Sequence, residues 1–116
     1  MKVLVCGGRD YKDKRKVWQR LNKFVATDHL FIIEGGAKGA DTLAAEYAQE
    51  NGIPVATVRA NWEFYGKRAG SLRNEWMLDL EPDLVIAFHS DIKNSKGTKH
   101  CIYKAGERDI PTELIK

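Results

Sequence analysis

Short apolar runs alternate with helix-period segments along the whole chain. Lys2–Cys6, Leu30–Glu34, Pro54–Arg59, Asp83–Phe88 and Ile110–Leu114 each have the length and the β-branched content of a strand. The first, second and fourth are apolar almost throughout, as strands covered on both faces are. The last is short and more polar, and Pro111 suits a sheet edge.

Four helices are predicted between these strands. Val17, Leu21, Phe24 and Val25 recur at i, i+4, i+7 and i+8 from a start near Asp13. Leu43, Ala44, Tyr47 and Ala48 form a second stripe after Asp41, and Asn51-Gly52 supplies its stop. Leu72, Trp76, Met77 and Leu80 form a third, closed by Glu81-Pro82 because proline disfavours helix in the residue before it. From about Lys99 to Glu107 a weaker fourth carries Ile102 and Ala105 as its apolar face. Such alternation with short connections implies parallel strands and right-handed crossovers. The expected fold class is therefore α/β, a three-layer sandwich with a mostly parallel five-stranded sheet, in one domain over residues 1–116. Ligands in such folds bind outside the carboxyl ends of the strands, where strand order reverses. The strand-to-helix turns are thus the segments to search for chemistry.

Composition narrows the class. At 116 residues with 43% hydrophobic and 30% charged positions, the chain can bury a core without metal or disulfide staples. A disordered chain, a collagen-like fibre and a disulfide scaffold are excluded. No apolar run approaches the ~18 residues of a membrane span, and the apolar start Val3–Cys6 is too short for a signal peptide. A soluble cytoplasmic protein without a membrane partner is expected. The net charge of +3 is modest, but its placement is uneven. Between Met1 and Leu30 eight Lys/Arg face three Asp, whereas Lys38 is the lone cation among Glu34, Asp41, Glu46 and Glu50 from Phe31 to Val58. The basic first helix is either a solvated surface or a face for nucleic acid, and a dedicated nucleic-acid domain usually carries a larger excess.

The first turn, Cys6-Gly7-Gly8-Arg9-Asp10-Tyr11, brings backbone close to a ligand or simply turns sharply, with Arg9 at its lip able to hold a phosphate bidentately. The second, Glu34-Gly35-Gly36-Ala37-Lys38-Gly39-Ala40-Asp41-Thr42, places three glycines before a helix whose free N–H groups and dipole favour an anion. Asp41 or Thr42 caps that helix or hydrogen-bonds a ribose hydroxyl. The spacing matches neither the Walker pattern nor GxGxxG.

The third turn, Asn61 to Gly70, offers Trp62 and Tyr65 as a wall for a flat ring, with Gly70 leaving room for its approach, or else forms an aromatic mini-core. Arg73 and Asn74 follow one helical turn later, a fork for phosphate and a group that both donates and accepts. In the fourth, Gly97-Thr98 brings N–H groups and a hydroxyl to a phosphate, and His89 at a strand end is either an acid–base group or a partly buried polar residue. No metal is expected, because His100 and Cys101 lack zinc spacing, and Cys6 reads as a small core residue. No cofactor is indicated.

Taken in order, GGRDY, EGGAKGADTLAAEYA, W-x-x-Y-G-x-x-A-G-x-x-R-N-x-x-M and PDLVIAFH…GT resemble the YspA-like branch of the SLOG superfamily. This Rossmann-like group also contains the LOG proteins and the DNA-processing protein DprA. The resemblance implies a site for a nucleotide or an ADP-ribose-like derivative, built on the glycine turns, in a sensor or sequestering module. It also implies an alternative, the phosphoribohydrolase activity of LOG enzymes, which release base from nucleoside 5′-monophosphates. In that branch Arg73 stands at the place of the functional arginine. Cys101, however, occupies the position of the glutamate in P-G-G-x-G-T-x-x-E, and a neutral thiol cannot stabilise an oxocarbenium-like centre as a carboxylate does. Asp10, Glu34 and Asp91 are candidate substitutes. The expected partner is a nucleotide-like small molecule. A homodimer follows from the resemblance to LOG proteins, and single-stranded nucleic acid is a further alternative from the kinship with DprA.

Overall fold

A computed structural model describes all 116 residues. Five strands, β1 (Lys2–Gly7), β2 (Phe31–Glu34), β3 (Val55–Thr57), β4 (Leu84–Phe88) and β5 (Thr112–Ile115), form one sheet in the order β3-β2-β1-β4-β5. Every pairing is parallel, with Leu4 opposite Ile33 on one side and Val85 on the other. The expected mostly parallel sheet is wholly parallel. No helix is long and apolar enough to cross a membrane.

The two faces of β1 and β4 divide the core. Val3, Val5, Ile86 and Phe88 point to one side, where they meet Val17 and Leu21 of α1 (Lys14–Leu21) and Ala44, Tyr47 and Ala48 of α2 (Ala40–Glu50). Leu4, Cys6, Val85 and Ala87 point to the other, against Met77 and Leu78 of α4 (Ala69–Asp79) and Cys101 and Ala105 of α5 (Gly97–Glu107). This alternation gives every central-strand residue a cover, which is why those strands are apolar without a break.

Several expected boundaries and faces differ. The first helix ends at Leu21, so Phe24 and Val25 do not extend its stripe, and Val25 is 60% exposed. A single turn follows in which the Asp28 carboxylate accepts the Val25 N–H at 2.9 Å, a local partner that competes with further helix. In α4 the buried positions are Ala69, Asn74, Met77 and Leu78, whereas Trp76, and Leu80 just past the helix end, are 38 and 41% exposed. That helix packs beside α5 on the same face of the sheet, and its buried face is rotated by about one residue from the apolar stripe. The third turn is not an open loop. A short helix α3 (Trp62–Tyr65), capped by Asn61 whose Oδ1 accepts the Phe64 N–H, leads through a tight turn at Gly66–Arg68 directly into α4. β3 is the second edge strand and is confined to three residues.

Candidate functional site

The chain leaves β1 toward β2 on one side of the sheet, while β4 is added on the other, so strand order reverses between β1 and β4. Ligand clefts in parallel sheets open at such a point. Here a cleft of ≈360 Å³ lies there. Its floor is the end of β1, Cys6 through Arg9; one wall is Ala37 and Asp41; a second is Arg73, Asn74 and Met77 of α4; the third is His89 with Ser95 through Thr98 at the start of α5.

Glycine allows the first two turns to interlock. Gly39 has φ +82°, and a Cβ there would lie 2.1 Å from the Gly8 carbonyl oxygen. That oxygen accepts the N–H groups of both Ala40 and Tyr11 at 3.2 Å, which joins the α2 start to the turn after β1.

Three amides of the second turn, those of Gly35, Gly36 and Ala37, are taken within the turn itself. Asp41 Oδ2 accepts the N–H of Gly35 at 3.1 Å and of Ala37 at 3.2 Å. Glu34, almost fully buried, accepts the Gly36 N–H on one oxygen and the Thr57 hydroxyl on the other. The turn's own carboxylates thus hold these three amides, and Gly35, Gly36, Gly39, Ala40 and Thr42 do not line the cleft. Thr42 instead donates its hydroxyl to the Ala37 carbonyl at 2.9 Å. Only Ala37 and Asp41 of this motif face the open space. Burial raises the Asp41 pKa to about 6, although the Ala37 and Gly35 amides and the Arg73 guanidinium all favour its charged form.

Arg73 and Asn74 hold the walls together. Arg73 Nη1 donates to the Gly35 carbonyl at 2.7 Å, and its Nε donates to Asn74 Oδ1 at 3.1 Å. Asn74, itself buried, donates from Nδ2 to the Gly97 carbonyl at 3.2 Å and lies 3.3 Å from His100 Nδ1. One helix thus grips both the β2–α2 turn and the first turn of α5.

His89 Nδ1 accepts the Asp91 N–H at 2.9 Å, so its proton resides on Nε2, and the ring lies against Gly8. At α5 no side chain caps from Lys96, but the Ser95 hydroxyl accepts the Thr98 N–H at 3.0 Å. Of the residues lining the cleft, Ser95 and Lys96 were not expected from the sequence to contact a ligand, and Cys6 and Met77 were read there as core positions. Ser95 stands three residues before Thr98, which is the spacing of a helix cap, and Lys96 adjoins Gly97-Thr98, so both carried a readable signal.

The aromatics of the third turn stand apart from the cleft. Trp62 covers Gly70, and Tyr65 makes edge contacts with Phe64 and Trp76, with ring centroids 4.7 and 5.7 Å apart. The group is a surface aromatic cluster, with Trp62 and Phe64 50 and 76% exposed, and Arg73 pairs with neither Glu75 nor Asp79. The neighbouring Cys101 thiol, followed by burial, holds the Cys6 thiol well above its ordinary pKa. Cys101 lies in the core, 1% exposed. Of the proposed carboxylate substitutes, Glu34 is fully engaged, and Asp10 and Asp91 line a separate depression beyond His89.

Comparison with known proteins agrees with this architecture. A family model described as the YspA, cpYpsA-related SLOG family matches residues 1–65, a span that takes in both interlocking glycine turns. The Gene 61 protein of Mycobacterium phage D29 is 37% identical over 117 residues, covering 95% of this chain and 92% of that protein. Among solved structures, DNA processing protein A (DprA) from Streptococcus pneumoniae is similar with a TM-score of 0.73 and 22% identity; it is covered over 50% of its length by 99% of this chain, so the likeness is one of fold, and this chain spans about half of that protein. With its first two strand-to-helix turns matched and a relative aligned almost from end to end, the chain belongs to the YspA, cpYpsA-related SLOG family.

Proposed function

We propose that the cleft between the ends of β1 and β4 binds a nucleotide or an ADP-ribose-like phosphate ligand, and that the protein acts as a sensor or sequestering module for it. The observation that carries this reading is the division of the cleft's polar groups. The α5 side presents donors: the Lys96 ammonium, the start of a helix and the protonated Nε2 of His89, with Arg9 across the floor. The opposite wall ends in Asp41, the single carboxylate of the lining. A phosphate fits the first side, and a ribose hydroxyl donating to Asp41 fits the second. The volume suits a nucleoside monophosphate, being at the lower end of the usual range for small-molecule sites. Isothermal calorimetry of the folded protein against AMP and ADP-ribose tests it. A saturable one-to-one heat with at least one of them is expected, and no heat with either refutes the reading.

A second reading is favoured by one contact. Asp41 lies beside Arg73, so an acid–arginine pair exists in the cleft even though Cys101 replaces the family's glutamate. In this reading the protein hydrolyses the N-glycosidic bond of a nucleoside monophosphate, with Arg73 holding the sugar phosphate and Asp41 stabilising positive charge at the anomeric carbon. Appearance of free adenine from AMP, abolished in Arg73→Ala, distinguishes this from binding alone. Binding of nucleic acid by the first helix has less support: Lys14, Lys16 and Arg20 are all within salt-bridge range of Glu50, Asp13 and Glu113.

A further inference from the structure

A second depression adjoins the cleft. It is shallow, ≈580 Å³, and shares Ser95 and Lys96 with the cleft as a common rim. Beyond that rim it is lined by Lys93, Lys99, His100 and Tyr103 among others, and no carboxylate faces it. Across the whole chain the charges nearly balance, 19 Lys+Arg against 16 Asp+Glu, so an acid-free hollow with three lysines is a local excess. Lys93 and Lys96 come from the segment before α5 and Lys99 is the third residue of that helix, whose dipole adds to their positive field.

Two further contacts give this shelf a defined shape. Lys99 Nζ donates to the Lys93 carbonyl at 3.0 Å, which ties the first turn of α5 to the segment before it. His100 Nδ1 faces the Asn74 amide nitrogen, whose carboxamide oxygen is committed to Arg73. The ring nitrogen therefore accepts, and the His100 proton sits on Nε2, making the ring another donor. Tyr103 is 65% exposed and supplies a flat apolar surface at the end of the lysine row.

We propose that this shelf is a second anion site, continuous with the cleft, and that it takes a second phosphate of the same small ligand, with Tyr103 as the surface for the attached sugar or base. The proposal rests on the nucleotide reading of the cleft and deepens it: the ligand carries two phosphate groups, one at the cleft and one beyond Lys96.

The test compares AMP with the 5′-phosphorylated dinucleotide pApA, using the full chain and a Lys93→Ala/Lys99→Ala double variant. Both positions are exposed and outside the cleft lining. The dinucleotide should bind about five- to ten-fold tighter than AMP, as expected for two solvated ion pairs, and its affinity should fall more steeply with added salt. In the double variant that advantage should vanish while AMP binding stays unchanged. Lys93→Glu should weaken pApA further, again without effect on AMP. Equal affinities for the two ligands, or equal weakening of both in the variant, overturn the shelf and leave the nucleotide reading standing. Failure of both ligands to bind overturns that reading and the shelf with it. Affinity that keeps rising for a deoxyadenylate strand of about ten nucleotides assigns the lysines to a nucleic-acid strand and overturns the small-ligand form.

Discussion

The Arg73 guanidinium lies 2.7 Å from the carbonyl oxygen of Gly35, and a side chain at residue 35 would push it aside: a Cβ built there would meet Nη1 at 2.3 Å and Asp41 Oδ2 at 2.9 Å. The contact links α4 to the turn after β2, across 38 residues of sequence, and it sets where the arginine stands in the cleft.

Gly35→Ala should therefore displace Arg73 and lower stability by about 0.5–1.5 kcal/mol, the worth of the hydrogen bond the guanidinium gives up. Gly106→Ala is the control. That glycine lies in α5, has nothing within 4 Å of its Cβ direction, and should gain about 0.5–1 kcal/mol from helix propensity. Urea denaturation of both variants checks the opposite signs.

Asp41 makes stability depend on pH in an unusual direction for a carboxylate. Its folded pKa of about 6 lies above the unfolded value of 3.8, so the folded state holds the proton more tightly. The resulting stabilisation is fully present below about pH 4 and is lost as pH rises through about 6, a change of up to about 3 kcal/mol. Asp41→Asn keeps an acceptor for the two amides without the charge. At pH 7 the variant should be the more stable protein, and the difference between the two should shrink toward pH 4. Melting curves at several pH values measure it; a difference that does not vary with pH contradicts the assignment.

Placing at residue 101 the glutamate that the resemblance to LOG proteins implies should not produce a hydrolase. Cys101 is enclosed by Cys6, Ala87, Met77 and other apolar groups, and Cys101→Glu would bury a longer, ionisable side chain there. A loss of about 3 kcal/mol or more is expected, with no release of base from AMP. A stable variant that cleaves AMP would contradict the packing argument.

Arg73→Lys preserves charge but not the fork that serves Gly35 and Asn74 together. AMP affinity should fall by about ten-fold, close to the effect of Arg73→Ala, as read by calorimetry. Retention of wild-type affinity in the lysine variant would mean that charge alone matters at this position.

Much of the architecture was legible because it depends on short-range periodicity. The unbroken apolar runs at Val3–Cys6 and Leu84–Phe88 identified the doubly covered strands, and all five strands and four principal helices occur in the expected order. The α4 face was misread because Leu72, Trp76 and Leu80 compete with Leu78 for one stripe, and only the positions of α5 and the sheet decide which side turns inward. The aromatics Trp62 and Tyr65 were ambiguous for a related reason: a flat ring satisfies a ligand wall and a mini-core equally well until its neighbours are known.

By itself the sequence determined that glycine-rich turns follow buried strands and precede helices, since strand period, helix period and the conformational freedom of glycine are properties of neighbouring residues. Tertiary structure alone decided the order β3-β2-β1-β4-β5, which brings the turn after β1, Arg73 and the start of α5 around one cleft. It also decided that Asp41 and Glu34 accept the Gly35, Gly36 and Ala37 amides of the second turn, while Lys96 and the start of α5 line the cleft. Backbone amides bond to whichever acceptor the fold delivers to them, and that acceptor is set by how distant segments pack rather than by the residues on either side.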